Sequence, residues 1–226
     1  EQCLEFACAY VLDARRKGQP VVEVGHLDQP DIAQSIVHPI APMNMRTILY
    51  GDGGSGKSYL GLLLGIASII DDSPVWPKLG LYPAPNRGGV LYLDYEVDEW
   101  EINDRIQRLC RGLKLDDAVI IDYQYRSQAL ADSVPELRRL IVEKNMNLLI
   151  VDSLGAACGG DPSDAGLALR MMNALRSLGL TAILIDHIAK HAEDKQRAKG
   201  PYGSVYKTNL ARSVWEVRKA QQQDEN

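Results

Sequence analysis

The chain has 226 residues, 46% of them hydrophobic and 24% charged, with a formal net charge of −5. This is the balance of an ordinary globular protein, long enough for one α/β domain with a small appendage. It carries no overall basic character, so any contact with nucleic acid would depend on a local basic surface.

Residues 2–17 read as an amphipathic helix, with Leu4, Ala7, Cys8, Val11 and Leu12 on one stripe and Gly18 as its stop. Such a helix packs either on its own domain or on a neighbouring subunit or upstream domain. Residues 19–45 are mixed. Val21–Val24 offers a short strand, while Pro30, Pro39 and Pro42 predict a linker approaching the core from outside.

Arg46–Tyr50 is short, apolar and partly β-branched, which predicts a buried strand. It runs into Gly51-Asp52-Gly53-Gly54-Ser55-Gly56-Lys57-Ser58, followed directly by Tyr59 and an apolar helical run to Ile70. The octapeptide fits G-x-x-x-x-G-K-[ST] at every fixed position, between a strand and a helix as that motif requires. Glycines let successive N–H groups turn toward one anion, and the helix start adds its positive dipole end. Lys57 is expected on the β- and γ-phosphates of ATP, and Ser58 on Mg2+.

Asp71–Gly89 is rich in proline and reads as a surface loop tacked down by Trp76, Leu79, Leu81 and Tyr82. Val90–Leu93 predicts a second core strand, ending in Asp94 and Glu96. A helix from about Asp98 to Gly112 follows, with Ile102, Ile106 and Leu109 inward. Val119–Ile121 predicts a third strand, and Val134–Asn145 a helix buried through Leu137, Leu140 and Ile141. Leu148–Ser153 is a fourth strand, with Asp152 at its C-terminal end. Gly155–Gly166 reads as an exposed, mobile loop, and Leu167–Leu178 as a helix. Ala182–His187 is a fifth strand, Ala189–Tyr202 a second polar loop, and Arg212–Val217 a late strand before a frayed tail.

Strands that are apolar on both faces and alternate with helices predict a mostly parallel sheet covered on both sides. The expected organisation is an N-terminal helix and linker over 1–41, an ATPase core over 42–220 and a tail over 221–226. The cysteines at 3, 8, 110 and 158 form no C-x-x-C and have no histidines at metal-ligand spacing, which reads as reduced thiols in a cytoplasmic protein. No signal peptide is expected, and the longest apolar run is too short to cross a bilayer. A first residue other than Met predicts a domain taken from a longer chain.

In open parallel sheets ligands sit at the C-terminal strand ends. There Asp152 fits the acid that holds Mg2+. Glu96 fits a general base that activates water, or else a helix cap. Asp94 reads as structural. His187 is a candidate sensor of the γ-phosphate, and Asp186 a residue that orients Lys190 or the loop. His191 reads as solvated.

Taken in order, GDGGSGKS, VLYLDYE, NLLIVDS, AILIDHIAK and GSVYKTNLARSVWEV resemble the RecA-like ATPase core over roughly residues 42–218. Within that group the likeness is to hexameric replicative DNA helicases of the plasmid RepA type. The resemblance implies ATP and Mg2+ as cofactors, Glu96 as catalytic base, Asp152 as the metal-holding acid and His187 as sensor. It also implies Arg212 as a finger reaching the next subunit's ATP, with Arg218 and Lys207 as rivals. It further implies a homo-hexameric ring whose loops at about 155–166 and 190–203 bind single-stranded DNA, with a primase or polymerase upstream. The second loop, with Lys190, Lys195, Arg197, Lys199 and Tyr202, suits such a track better than the first, which carries Asp161 and Asp164. A non-motor ATPase acting as a regulator or loader is the second reading. A small-molecule kinase fits poorly, since Glu96 is suited to activating water.

Overall fold

A computed structural model describes residues 34–85, 88–115, 119–188, 201, 203 and 205–219. The expected N-terminal helix, the Val21–Val24 strand, His191, the basic residues of the second loop with Tyr202, and the tail lie outside these residues.

The strands are β1 (Ser35–His38), β2 (Ala41–Pro42), β3 (Arg46–Gly51), β4 (Tyr82–Pro83), β5 (Gly89–Asp94), β6 (Asp122–Tyr125), β7 (Met146–Asp152), β8 (Thr181–His187) and β9 (Ser213–Glu216). The helices are α1 (Lys57–Ile69), α2 (Glu99–Leu113), α3 (Val134–Glu143), α4 (Leu154–Ala157), α5 (Ala165–Leu178) and α6 (Val205–Leu210). Six strands form one sheet in the order β6-β5-β7-β8-β3-β9, with every pairing parallel. This is the expected α/β architecture, a P-loop NTPase fold.

Alternation along each strand separates two cores. Leu91, Leu93, Leu149, Val151, Ala182 and Leu184 face α3, α4 and α5, where Leu137, Leu154, Met171, Met172 and Leu175 cover them. Val90, Tyr92, Leu148, Ile150, Ile183 and Ile185 face α1 and α2, under Leu62, Leu64, Ile66 and Ile102. Ile106 and Leu109 of α2, and Leu140 and Ile141 of α3, pack at the margins of these cores. Helix α1 lies close to the sheet because two of its residues lack side chains. A Cβ on Gly61 would come 3.0 Å from Ile185 Cδ1, and one on Gly65 3.1 Å from Ile150 Cδ1.

Four expectations are corrected. Residues 34–42 are not an external linker: β1 and β2 pair as an antiparallel hairpin, joined by β4, and Ile36, Val37 and Ala41 enter the core. The prolines fit because Pro39 lies in the turn and Pro42 on an outer strand. Val119–Ile121 is not the third strand. That strand is Asp122–Tyr125, at the sheet edge, and Ile120 is 77% exposed. Of the residues expected to tack down the proline-rich loop, Trp76 and Leu81 are buried, whereas Leu79 and Tyr82 are exposed. Gly155–Gly166 is not all loop, since its start is helix α4, with Ala157 and Cys158 buried; an exposed turn over 159–164 follows.

Candidate nucleotide site

The sheet order puts the C-terminal ends of β5, β7, β8 and β3 side by side. Their register aligns Asp94 with Asp152, Asp152 with Ile185, and His187 with Gly51. The sequence-predicted residues of these strand ends therefore gather along one edge. A cavity of about 280 Å³ opens there, lined by Gly54–Tyr59, Glu96, Arg105, Asp152, Ile185 and His187.

The glycine loop is shaped by its backbone. Gly54 and Gly56 have φ of 68° and 92°, which a side chain rarely tolerates. At Gly51 a Cβ would stand 2.3 Å from the Val217 carbonyl, so the loop lies directly against the residue that follows β9. Helix α1 then starts at Lys57 with no acidic residue in its first turn, as an anion-binding N-terminus requires. Lys57 is buried and curls back over the loop, donating to the Gly51 carbonyl at 3.0 Å and the Asp52 carbonyl at 2.8 Å. Burial lowers its pKa, opposed by the carboxylates of Asp152, Glu96, Asp52 and Asp186. The Ser55 hydroxyl is buried in the same cradle without a hydrogen-bond partner.

Asp152 is buried, and burial pushes its carboxyl pKa up, against hydrogen bonds from Ser58 and Tyr92. The Tyr92 hydroxyl donates to Asp152 Oδ2 at 2.6 Å. The Ser58 hydroxyl and the Asp152 carboxylate are hard oxygen donors placed together beside the phosphate cradle, a set that suits Mg2+. Among the described residues no group of three or more His, Cys, Asp or Glu side chains is gathered for a metal ion. Ser58 and Asp152 are the residues that would hold such an ion.

Glu96 is held from two sides. Asp94 Oδ1 accepts from the backbone N–H of Glu96 at 2.9 Å and of Val97 at 3.2 Å, fixing the turn after β5. The Glu96 side chain meets His187 Nε2 at 3.2 Å. The hydrogen bond with His187 is the main cause that lowers the Glu96 pKa, opposed by partial burial and assisted by Ser153 and the charges of His187 and Lys57. The same bond raises the His187 pKa, against its partial burial and the Lys57 charge. A carboxylate kept ionised beside a phosphate cradle can accept a proton from water or orient it.

Two contacts had no signal in the sequence beyond helix spacing or strand position. Arg105, on α2, reaches the cavity with its guanidinium 5.7 Å from the Tyr59 ring centre, and it is ion-paired with Glu101 one turn earlier. Tyr92 is the donor that holds Asp152. Arg212 does not join the cluster. Its N–H donates to the Arg46 carbonyl at 2.9 Å, at the N-terminal end of β3 and β9, and it is exposed. Lys207, a rival finger residue, is internal and bonds Asp186 Oδ2 at 3.0 Å. Lys190, which Asp186 is expected to orient, lies outside the described residues; the partner of Asp186 seen here is Lys207.

A protein-family model described as an AAA domain matches residues 14–193. This is most of the chain, and the chain belongs to that AAA-domain family, with a P-loop NTPase core that supports ATPase activity. A search of curated proteins finds no match. Among the described residues no helix is long and apolar enough to cross a membrane.

Proposed function

We propose that this chain is the ATP-hydrolysing motor domain of a RecA-like, ring-forming DNA helicase that moves on single-stranded DNA. The observation that carries the hydrolytic part is the Glu96–His187 pair at the rim of a cavity that also holds Lys57, Ser58 and Asp152. ATP lies with its phosphates in the residue 51–58 loop. The Lys57 ammonium, on a flexible stem, turns from the loop carbonyls to the β- and γ-phosphates. Ser58 and Asp152 would hold Mg2+, which would supply neutralisation of phosphate charge. Glu96 accepts a hydrogen bond from the attacking water and takes its proton as the new P–O bond forms and the β,γ-bridging P–O bond breaks. His187 donates to the γ-phosphate and releases Glu96 as it does so. Arg105 adds positive charge within the same subunit.

The ring part rests on the segment bearing Arg212. Val205, Tyr206, Val214 and Trp215 in this segment are all exposed, and among the described residues β9 is an edge strand of the sheet. Exposed apolar groups on an open edge fit burial against another copy, with Arg212 delivered to that copy's ATP. Steady-state hydrolysis with and without single-stranded DNA, at rising protein concentration, tests this beside Glu96→Gln and Arg212→Ala. Stimulation by DNA, a steep concentration dependence and loss in both variants are expected. Hydrolysis indifferent to DNA and concentration would remove the motor and leave the second reading, an ATP-dependent regulator or loader. The exposed Asp161 and Asp164 of the first loop favour that second reading, because acids repel a phosphate backbone.

A further inference from the structure

A buried ion pair stands behind His187. Asp186 and Lys207 are 3.0 Å apart, and they are 1% and 0% exposed. Neither lines the phosphate cavity. Two apolar side chains of similar volume would join α6 to β8 at least as well, because charges are costly to desolvate. What an ion pair adds is direction. Asp186 Oδ2 accepts from Lys207, and Oδ1 accepts from the backbone N–H of His187 at 3.0 Å. With one oxygen anchored, the other has a fixed position, and with it the backbone that carries the imidazole.

The pair is also enclosed by close backbone. A Cβ on Gly203, where φ is 99°, would stand 2.2 Å from the Pro162 carbonyl and 3.3 Å from Lys207 Nζ. One on Gly155 would stand 3.9 Å from Asp186 Oδ1. Little water screens the charges there, so the contact is stiff.

We propose that Asp186 and Lys207 are a positioning pair for hydrolysis: the buried ammonium orients the Asp186 carboxylate, which sets His187 and, through its ring, Glu96. The inference rests on Glu96 being the group that activates water.

The test is ATP hydrolysis by the full chain carrying Lys207→Met, in the wild-type and His187→Ala backgrounds. In the wild-type background kcat falls about tenfold or more, while KM for ATP stays within about twofold. The acid limb of kcat/KM, which reads the free enzyme, moves to higher pH, because Glu96 loses the hydrogen bond that keeps its pKa low. In the His187→Ala background the same substitution changes kcat by less than about twofold, since the route it acts through is already gone. Multiplying effects with an unmoved acid limb would overturn the proposal and leave Lys207 as a support of the fold. Lys207→Gln, which keeps a neutral donor toward Asp186, serves in the same cycle if circular dichroism shows that the methionine variant does not fold. Glu96→Gln separates the two levels. Wild-type turnover in that variant defeats the water-activating reading and the proposal with it. An inactive Glu96→Gln beside a Lys207→Met of unchanged kcat and pH profile defeats the proposal alone.

Discussion

Asp94 offers a way to separate charge from geometry in the placement of Glu96. It is fully buried, and its Oδ1 receives the N–H groups of Glu96 and Val97, while Oδ2 has no hydrogen-bond partner. Asp94→Ala removes two hydrogen bonds to a charged acceptor, about 1.5–3 kcal/mol each, or roughly 3–6 kcal/mol in all. Against this, the buried carboxylate is itself unfavourable: burial raises its pKa, and the Asp152 and Glu96 charges add to the rise. Relief of that burden returns about 1–3 kcal/mol, and water reaches the freed N–H of the exposed Glu96. The net loss is about 2 kcal/mol, a fall in Tm of about 4–8 °C for a chain of this size. Turnover falls about tenfold or more, because Glu96 is no longer fixed. Asp94→Asn keeps an acceptor at Oδ1 and removes the buried charge, so stability stays within about 1 kcal/mol and kcat within a few-fold. Thermal melts and steady-state ATP hydrolysis on the two variants decide the matter. An Asn variant as damaged as the Ala variant, or an unharmed Ala variant, would refute the claim that acceptor geometry at Oδ1 places Glu96.

His187→Ala raises the Glu96 pKa toward the ordinary value of 4.5, so the acid limb of kcat/KM, which reads the free enzyme, shifts upward; a pH–rate profile reads this directly. The same pair links to stability. Glu96, with a lowered pKa, contributes above 4.5 and loses this as pH falls through its folded value; His187, with a raised pKa, contributes below 6.5 and loses this as pH rises through its own. The stability difference between wild type and His187→Ala, followed by urea unfolding, is therefore largest between those two values. Gly51→Ala drives a methyl onto the Val217 carbonyl, where a Cβ would stand at 2.3 Å, and pushes the phosphate loop off β9. Calorimetric titration should show ATP affinity lowered about tenfold or more. Gly61→Leu wedges α1 away from Ile185 and Ile150, lowering stability by about 3 kcal/mol in denaturant unfolding, and weakens nucleotide binding at the N-terminus of the same helix, one turn away.

The legible parts of this molecule are those where one local rule applies. Strands β3, β5, β7 and β8 are buried on both faces, so their apolar runs stand out, and the residue ending each run falls at the site. The rule fails at the edge. Among the described residues strand β6 has one neighbour and half-exposed side chains, so Asp122–Tyr125 reads as polar while the apolar Val119–Ile121 beside it is no strand at all. Proline hid the β1–β2 hairpin, because proline breaks a central strand but not a turn or an outer one. Lys207 was illegible for another reason. It reads as a rival finger residue, and only the fold brings Asp186 to it. Arg105 was likewise one of several cations on an exposed-looking helix. Its role depends on where α2 lands.

The strand order has a consequence for the order of assembly. The phosphate-loop strand β3 is complete by residue 51, yet in the six-stranded sheet it pairs only with β8 and β9, which begin at residues 181 and 213. A chain emerging from the ribosome can first join β5, β6 and β7, which are all present by residue 152. Throughout that time β3 has no partner in the sheet, and the glycine loop has no His187 or Val217 to lean on. Of the site's motifs, the first to be synthesised is thus among the last to be built. Long-range parallel pairing of this kind folds slowly and exposes unpaired strand meanwhile. A chain truncated at residue 180 would keep the whole GDGGSGKS sequence and lack a phosphate site, so nucleotide can act as a folding ligand only once nearly all of the domain is present.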